Sequence, residues 1–438
     1  MRSSTIFRTL AAGAVVVVAH VAPLAADENR LREVISDRNA ELSDLWIYND
    51  LASAFAEARR SGRPLFVTFR CVPCKDCKSF DAEVAAGKQA IDALARQKFV
   101  AVRQVEMKGV DLSMFQFDHD LNWAAMFLNA DGTVYARYGT QSIDGPDAFN
   151  SIAGLERTMR RVLELHAAYP KNQAELAGKQ GAKKPYRTAL EMPGLENRDK
   201  LAGPTTRENC IHCHNVHDAE NQALQEAKTP FADFLWRYPL PADIGLDIDP
   251  LDGRTVRRVL PQSAAERAGV RAGEEITHVG GEAIASIADV QWALHHTANT
   301  AGKLRVRGSL AGERELALET GWKRTDPSWR GSIWSIAPRM RVWAPEVEAA
   351  RRRELAIAED RLALLVKWIN VGASGGRAAR DSGLREGDVI VALDGDRGRR
   401  TPQRFQLDVK LGYRVGGELP LTVIREGTEK NLRIRLAE

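Results

Sequence analysis

All five cysteines of this chain fall into two clusters, Cys71-Val-Pro-Cys74-Lys-Asp-Cys77 and Cys210-Ile-His-Cys213-His214. Cysteine therefore has no structural task anywhere else in the 438 residues. Both clusters carry the C-x-x-C spacing, which suits thiol–disulfide exchange or soft-metal ligation. In the second cluster the trailing histidine adds a third chemistry, covalent haem attachment. The chain reads first as a redox or metal protein.

The flanking sequence says where such chemistry would operate. Arg2 and Arg8 precede an apolar run from Leu10 to Ala19. Small residues ending at Ala26 then give way to charged Asp27 and Glu28. That order predicts an export signal over 1–26, cleaved near Ala26, and a periplasmic location. The apolar run is too short to span a bilayer, and no later stretch is long and apolar enough, so no membrane span is expected in the mature chain. About 410 residues remain, enough for two to four domains. The 44% apolar content supports proper cores. The net charge of +4 is spread over mixed-sign segments without an aromatic-interleaved basic stripe, so nucleic acid is not an expected partner.

The elements around the first cluster have a recognisable order. Leu65-Phe-Val-Thr-Phe69 reads as an apolar strand running into the cysteines, followed by a helix from Lys78. Phe99–Val105 is a second strand, and Ala124–Leu128 and Val134–Tyr138 bracket the turn Asn129-Ala-Asp-Gly132. A helix from Ala148 to His166 places Phe149, Ile152, Leu155, Met159 and Val162 on one side. Strand, CxxC at a helix start, strand, hairpin and helix resemble the thioredoxin fold over residues 45–170. By that resemblance the first cysteine lies seven residues after the strand valine, Val67, which selects Cys74 as attacking thiol and Cys77 as resolving thiol. Cys71 is then an additional thiol. A helix N-terminus stabilises a thiolate at Cys74, and Lys75 and Lys78 add positive potential. The sequence departs from the family at Trp123, in Asp120-Leu-Asn-Trp123, where thioredoxins place a cis-proline that keeps metals from the thiols. CxxCxxC therefore stays open to Cu(I) or Zn(II), or to a purely stabilising disulfide.

Residues 171–235 begin with a stretch rich in Lys, Gly, Ala and Pro, read as linker or irregular wrap. CIHCH follows. Its spacing lets Cys210 and Cys213 take haem vinyl groups while His214 reaches the iron, so haem c is the expected cofactor. No methionine lies between the motif and Met340, leaving Met192 or His212 as candidates for the sixth position. A zinc site from Cys210, Cys213, His214 and His217, or a plain dithiol, are the competing readings.

The C-terminal half contains a repeat. Gly269, Gly273, Ile276 and Gly281 match Gly383, Gly387, Ile390 and Gly395 within the pattern A-G-L-x-x-G-D-x-I-x-x-x-x-G. The pattern resembles the PDZ domain in both copies. PDZ domains add a peptide as a strand and hold its terminal carboxylate on a glycine-containing loop. The first copy retains such a loop in Ile244, Gly245, Leu246, Asp247 and Ile248, and its following helix would present Val290 and Leu294 to the groove. A protein partner with an apolar C-terminus or extended peptide is thus expected there. The second copy, aligned near Glu354–Ile357, lacks the glycine. Three tryptophans between Gly321 and Trp334 predict a segment packed against a domain.

The fold class expected is multidomain, α/β plus mainly β: a thioredoxin-like N-terminal domain (45–170), a segment carrying CxxCH (171–235), PDZ 1 (236–320), a Trp-rich connector (321–344) and PDZ 2 (345–438). This order is similar to a group of exported bacterial thioredoxin-like/PDZ proteins, some with selenocysteine in the thioredoxin-like motif. The resemblance implies redox chemistry at Cys74 or Cys77, as in a thiol–disulfide oxidoreductase. A soft-metal (Cu or Zn) handling protein and a non-catalytic peptide-binding scaffold are the alternatives.

Overall fold

The computed structural model describes residues 31–39, 44–72, 78–86, 89–229 and 234–437. The expected signal segment, Cys74 and Cys77 lie outside them.

Five short strands form the first sheet: β1 (Ile47–Tyr48), β2 (Leu65–Arg70), β3 (Val100–Gln104), β4 (Trp123–Leu128) and β5 (Val134–Tyr138). Their order is β1-β3-β2-β4-β5, with β1, β3 and β2 parallel and β4 and β5 antiparallel. Every residue of β2 to β5 is buried. This explains their near-continuous apolar runs, since a sheet covered on both faces has no solvent side to alternate with.

Helices α1 (Leu51–Ser61), α2 (Lys78–Ala85), α3 (Gln89–Lys98) and α4 (Ile152–Ala168) flank this sheet. Phe66, Phe99, Ala125 and Phe127 share one core with Phe80 and Val84 of α2, Ile91 and Ala95 of α3, and Leu155 and Met159 of α4. On the opposite face Val67, Phe69, Val102 and Met126 pack with Ala54 and Ala58 of α1. That face is completed from residues 171–235. Ala189, Met192, Ile211, Cys213, Val216 and Ala219 belong to the same core, the last three on helix α5 (Cys213–Glu226). Fully burying a Val or Ile side chain contributes about 1.5–3 kcal/mol, so this stretch is an integral layer of the first unit. The CxxCH segment is pinned to the sheet.

Helix α4 starts at Ile152, later than its apolar pattern suggests. The Ser151 hydroxyl caps it by accepting from the Gly154 N–H at 2.9 Å. Phe149 is left outside the helix and packs on the core of the next unit.

That unit contains the ladder of β6 (Leu246–Ile248) with β7 (Val256–Val259). It adds a sheet of β8 (Ile276–Val279), β9 (Glu282–Ala283), β10 (Gly302–Gly308) and β11 (Gly312–Leu318) in the order β11-β10-β8-β9. Helices α6 (Ala264–Arg267) and α7 (Ile287–His296) accompany these strands.

The second copy of the repeat forms β12 (Val342–Trp343), α8 (Ala349–Glu354), β13 (Leu364–Leu365), β14 (Trp368–Ile369), α9 (Ser374–Asp381), β15 (Val389–Leu393), α10 (Pro402–Gly412), β16 (Glu418–Arg425) and β17 (Thr428–Arg435). Here β12 pairs with β14 as β6 pairs with β7. The counterpart of the first copy's loop is thus the turn before Val342, not the stretch near Glu354–Ile357, because α8 is inserted between the strands. Arg341 holds φ +52 where Gly245 holds φ +96, each immediately before its strand. Met340 and Val342 lie in this unit's core, so it begins ahead of the expected 345.

Helix α7 is covered on two sides. Its Asp289 carboxylate pairs with buried Lys179 at 3.0 Å and accepts the Arg137 backbone N–H of β5. The Arg137 guanidinium lies 3.5 Å over the Trp292 ring, and Trp292 Nε1 donates to the Gly178 carbonyl. The connector closes the gaps. Trp322 sits in the second unit's core, Trp329 packs on the first unit's core, and Trp334 stands 38% exposed beside CIHCH.

Candidate functional site

The chain leaves β2 at Arg70 and reaches Cys71 at the C-terminal ends of the parallel strands, the edge where open α/β sheets place ligands. Cys71 is buried and disulfide-bonded. Cys210 and Cys213 are both free thiols, so neither is its partner. Below Cys71 lies a buried charge network. Arg103 donates to Asp37 and Asp81, and Arg70 pairs with Asp81 at 3.2 Å. Burial alone would raise the Asp81 carboxyl, but the two guanidiniums override it and hold it below the usual range. Trp123, at the position of the absent proline, is buried edge-on to Phe80 at 4.9 Å.

CIHCH docks on this same end of the sheet. The Met107 N–H donates to the Ile211 carbonyl, and the Ile211 N–H donates to the Glu106 carboxylate, each at 3.2 Å. His212 is the N-cap of α5 and exchanges a capping box with Asn215. Its Nδ1 lies 3.3 Å from Cys71 Sγ, across 141 residues of sequence. Cys71 and the CIHCH motif therefore meet at one place.

Burial, and then the Glu106 carboxylate, push the Cys210 thiol up to about 12. Burial, and then Cys210 itself, push Cys213 up to about 12. Burial, followed by repulsion from His214, lowers His212 to about 4, so its imidazole is neutral at neutral pH. For His214 burial pulls downward, but the Asp218 carboxylate 3.0 Å from its Nδ1 wins and raises it. The His212 and His214 rings lie parallel, 5.7 Å apart.

Beside the motif opens a cleft of about 590 Å³, lined among others by Cys210, His212, His214, Lys200, Arg339 and Arg341. Cys213 and Met192 do not line it and belong to the core. His217 faces elsewhere. Its Nδ1 is 2.9 Å from Asp120, within a buried network where Arg330 pairs with Asp118 at 2.6 Å and Ser332 donates twice to Asp120. Asp118, Asp120 and His217 are the one group among the described residues whose ligand atoms cluster as a metal site would need. Arg330 already supplies the cation there. Sequence reasoning missed Glu106, Asp218 and Arg330. Asp218, one helical turn after His214, was the one with a readable spacing.

In the first repeat copy, Gly245 takes the left-handed conformation that ends the turn Pro241–Ile244. Ile244, Leu246 and Ile248 share one buried core with Val290 and Leu294 of α7. Val290 and Leu294 are fully buried, not half-exposed as open groove walls would be. Asp247 points outward to Arg257 and Arg258. The edge of β6 away from β7 carries no strand partner among the described residues.

Comparison with known proteins agrees with these two units. A thioredoxin-like family model matches residues 46–130, and a PDZ domain model matches residues 255–307. The chain contains a thioredoxin-like domain and a PDZ domain. It is similar to a probable periplasmic serine endoprotease DegP-like of Marinomonas sp. (strain MWYL1), 27% identical over 183 residues, which are 41% of this chain and 36% of that protein. The chain thus spans about a third of that relative's length. Two structures of the HtrA-type protease AlgW with a decapeptide match at 22% and 21% identity, each covering 30% of this chain and 37% and 38% of the other, with TM-scores of 0.20. No helix among the described residues is long and apolar enough to cross a membrane.

Proposed function

We propose that this protein is an exported, periplasmic thiol redox protein. Its thioredoxin-like cysteines exchange electrons with a protein partner, and PDZ modules recruit that partner by an extended or C-terminal peptide. The observation that carries the reading is the 3.3 Å approach of His212 Nδ1 to the disulfide-bonded Cys71. It sets a neutral imidazole, flanked in sequence by two further thiols, beside one disulfide at the ligand-binding edge of a parallel sheet. The PDZ domain and the DegP-like similarity support peptide recruitment and a periplasmic setting. The second repeat copy is read as a second PDZ domain, supported by β12–β14 pairing like β6–β7.

The test is reduction of the native full chain by dithiothreitol, with disulfides mapped by mass spectrometry, followed by reoxidation on a reduced peptide substrate. The expected result is a Cys71 disulfide that reduces without unfolding and turns over, with turnover lost in Cys74→Ser. A disulfide that yields only on denaturation overturns the reading in favour of a stabilising bridge.

A second reading, haem c on CIHCH, is favoured by the adjoining cleft of about 590 Å³. Cys210 and Cys213 would carry the thioethers and His214 the iron, with Asp218 fixing Nδ1 so that Nε2 is the ligand atom. Lys200, Arg339 and Arg341 suit the propionates. The haem would supply one-electron transfer. Cys213 would have to turn out of the core to join it. A Soret band and one haem of added mass in protein made with haem-maturation machinery would establish this reading, and a colourless product would end it. Metal bound at CxxCxxC would register in native mass.

A further inference from the structure

Two free thiols, one two residues before and the other one residue after, flank a histidine whose ring nitrogen lies 3.3 Å from the sulfur of a disulfide. The redox reading above uses only the disulfide and leaves Cys210 and Cys213 without a task. We propose that Cys210 and Cys213 form an internal dithiol that reduces the disulfide held by Cys71, so that the two cysteine motifs are the ends of one intramolecular electron relay. This rests on the redox reading of the Cys71 disulfide.

Three features of the site support the relay. The CIHC backbone is fastened to the edge of the sheet that carries Cys71. Ile211 is bonded through both its N–H and its carbonyl to Glu106 and Met107, and the Cys210 sulfur sits 3.8 Å from the Val105 carbonyl. The loop that carries the dithiol is therefore fixed against the sheet edge that carries Cys71, the advantage of a preorganised intramolecular reaction. Cys213 opens helix α5 and Cys210 precedes it by three residues, the placement that lets a C-x-x-C pair close on itself. His212, between the two thiols in sequence, lies 3.3 Å from Cys71 Sγ, so the loop that carries them meets the disulfide directly.

The step balances within the chain. One CIHC sulfur, as thiolate, attacks the disulfide at Cys71, forming a mixed disulfide as the old S–S bond breaks. The departing sulfur takes up the proton. In the tautomer with hydrogen on Nδ1, His212 donates a hydrogen bond to Cys71 Sγ and eases the departure of that sulfur in the second displacement. The second CIHC thiol then displaces the mixed disulfide, closing Cys210–Cys213 and releasing Cys71 and its former partner as thiols. Two thiols become one disulfide, one disulfide becomes two thiols, and no outside oxidant or reductant enters.

Full-length protein with the Cys71 disulfide intact and Cys210 and Cys213 reduced is held anaerobically without added thiol, quenched in acid, alkylated and mapped by peptide mass spectrometry. A Cys210–Cys213 bridge should accumulate in step with alkylated Cys71. Cys213→Ser and Cys210→Ser should each abolish that bridge, and at least one should trap a mixed disulfide between the motifs. Cys210→Ser, on the cleft side, guards against loss of fold in the buried Cys213→Ser. The relay is overturned if the bridge stays at Cys71 from neutral to mildly alkaline pH while dithiothreitol reduces it, and the redox reading then survives. Haem on the CIHC sulfurs also overturns the relay. A Cys71 disulfide that resists dithiothreitol in the native chain removes both.

Discussion

The cysteines of CIHCH are hard to ionise because the fold buries them. A free thiol titrates near ~8.5, whereas both of these are pushed up to about 12. Iodoacetamide at mildly alkaline pH should therefore label Cys210 and Cys213 far more slowly than an exposed thiol, and denaturant should release both together, read by intact mass. His212 gives a pH signature of the opposite kind. Its cation is disfavoured in the fold, where it titrates at about 4 against an ordinary 6.5, so the unfolded chain takes the proton first. Its contribution to stability is complete above pH 6.5 and falls away as pH drops toward 4. Urea midpoints should decline across that window, and His212→Gln should flatten the decline.

Buried ion pairs fix the ends of the elements that carry the disulfide. Arg103 of β3 bridges Asp37 and Asp81, all of them almost fully buried. Replacing it by leucine strands Asp37 away from water and leaves Asp81 with Arg70 as its guanidinium partner. The expected loss is about 3–5 kcal/mol, measured by urea unfolding, with the Cys71 disulfide more easily reduced as α2 loosens. At the PDZ loop, an added Cβ on Gly245 would fall 2.0 Å from the Ser263 hydroxyl at a φ of +96. Left-handed strain at a non-glycine residue costs about 1–3 kcal/mol. Gly245→Val in the full chain should abolish binding of C-terminal peptides in a peptide-array or titration experiment. Retained binding would move the peptide site to the second repeat copy, where Arg341 makes the equivalent turn.

Across the whole molecule, the thioredoxin-like and PDZ units are joined by packing as well as by chain. Gly154 of α4 passes so close to Pro250 that an added Cβ would lie 2.3 Å from its carbonyl oxygen, while Arg157 and Arg161 hold Asp252 alongside. Together with the Lys179–Asp289 pair this makes α7, one wall of the PDZ fold, a shared element. Gly154→Leu should part the two units without unfolding either, seen as a larger radius in small-angle scattering and new proteolytic cuts near 229–240. An unchanged radius would show the contact to be dispensable. A parting that also alters reduction of the Cys71 disulfide would show that peptide binding and redox chemistry are coupled through α7.

Local order was legible in the sequence. The strand–CxxC–helix–strand–hairpin–helix sequence was enough for the thioredoxin-like unit, because its buried strands are continuous apolar runs and its turns carry Asn, Asp and Gly. The glycines and isoleucine of the first copy were enough for its PDZ pattern, because those positions need left-handed backbone or a core anchor. Residues 171–235 were not legible. Their apolar residues are too sparse to show a period, and only contact with the open face of the sheet buries them. Phe149 could not be placed either, since the Ser151 cap, not the apolar pattern, decides where α4 begins. Val290 and Leu294 were assigned to the right helix, but their full burial depends on the packing of that unit. The tertiary structure alone decided that Cys71 and CIHCH are neighbours. Motif spacing reports what one turn of chain can do, whereas a 3.3 Å contact across 141 residues exists only because Cys71 and His212 come to the same edge of one sheet.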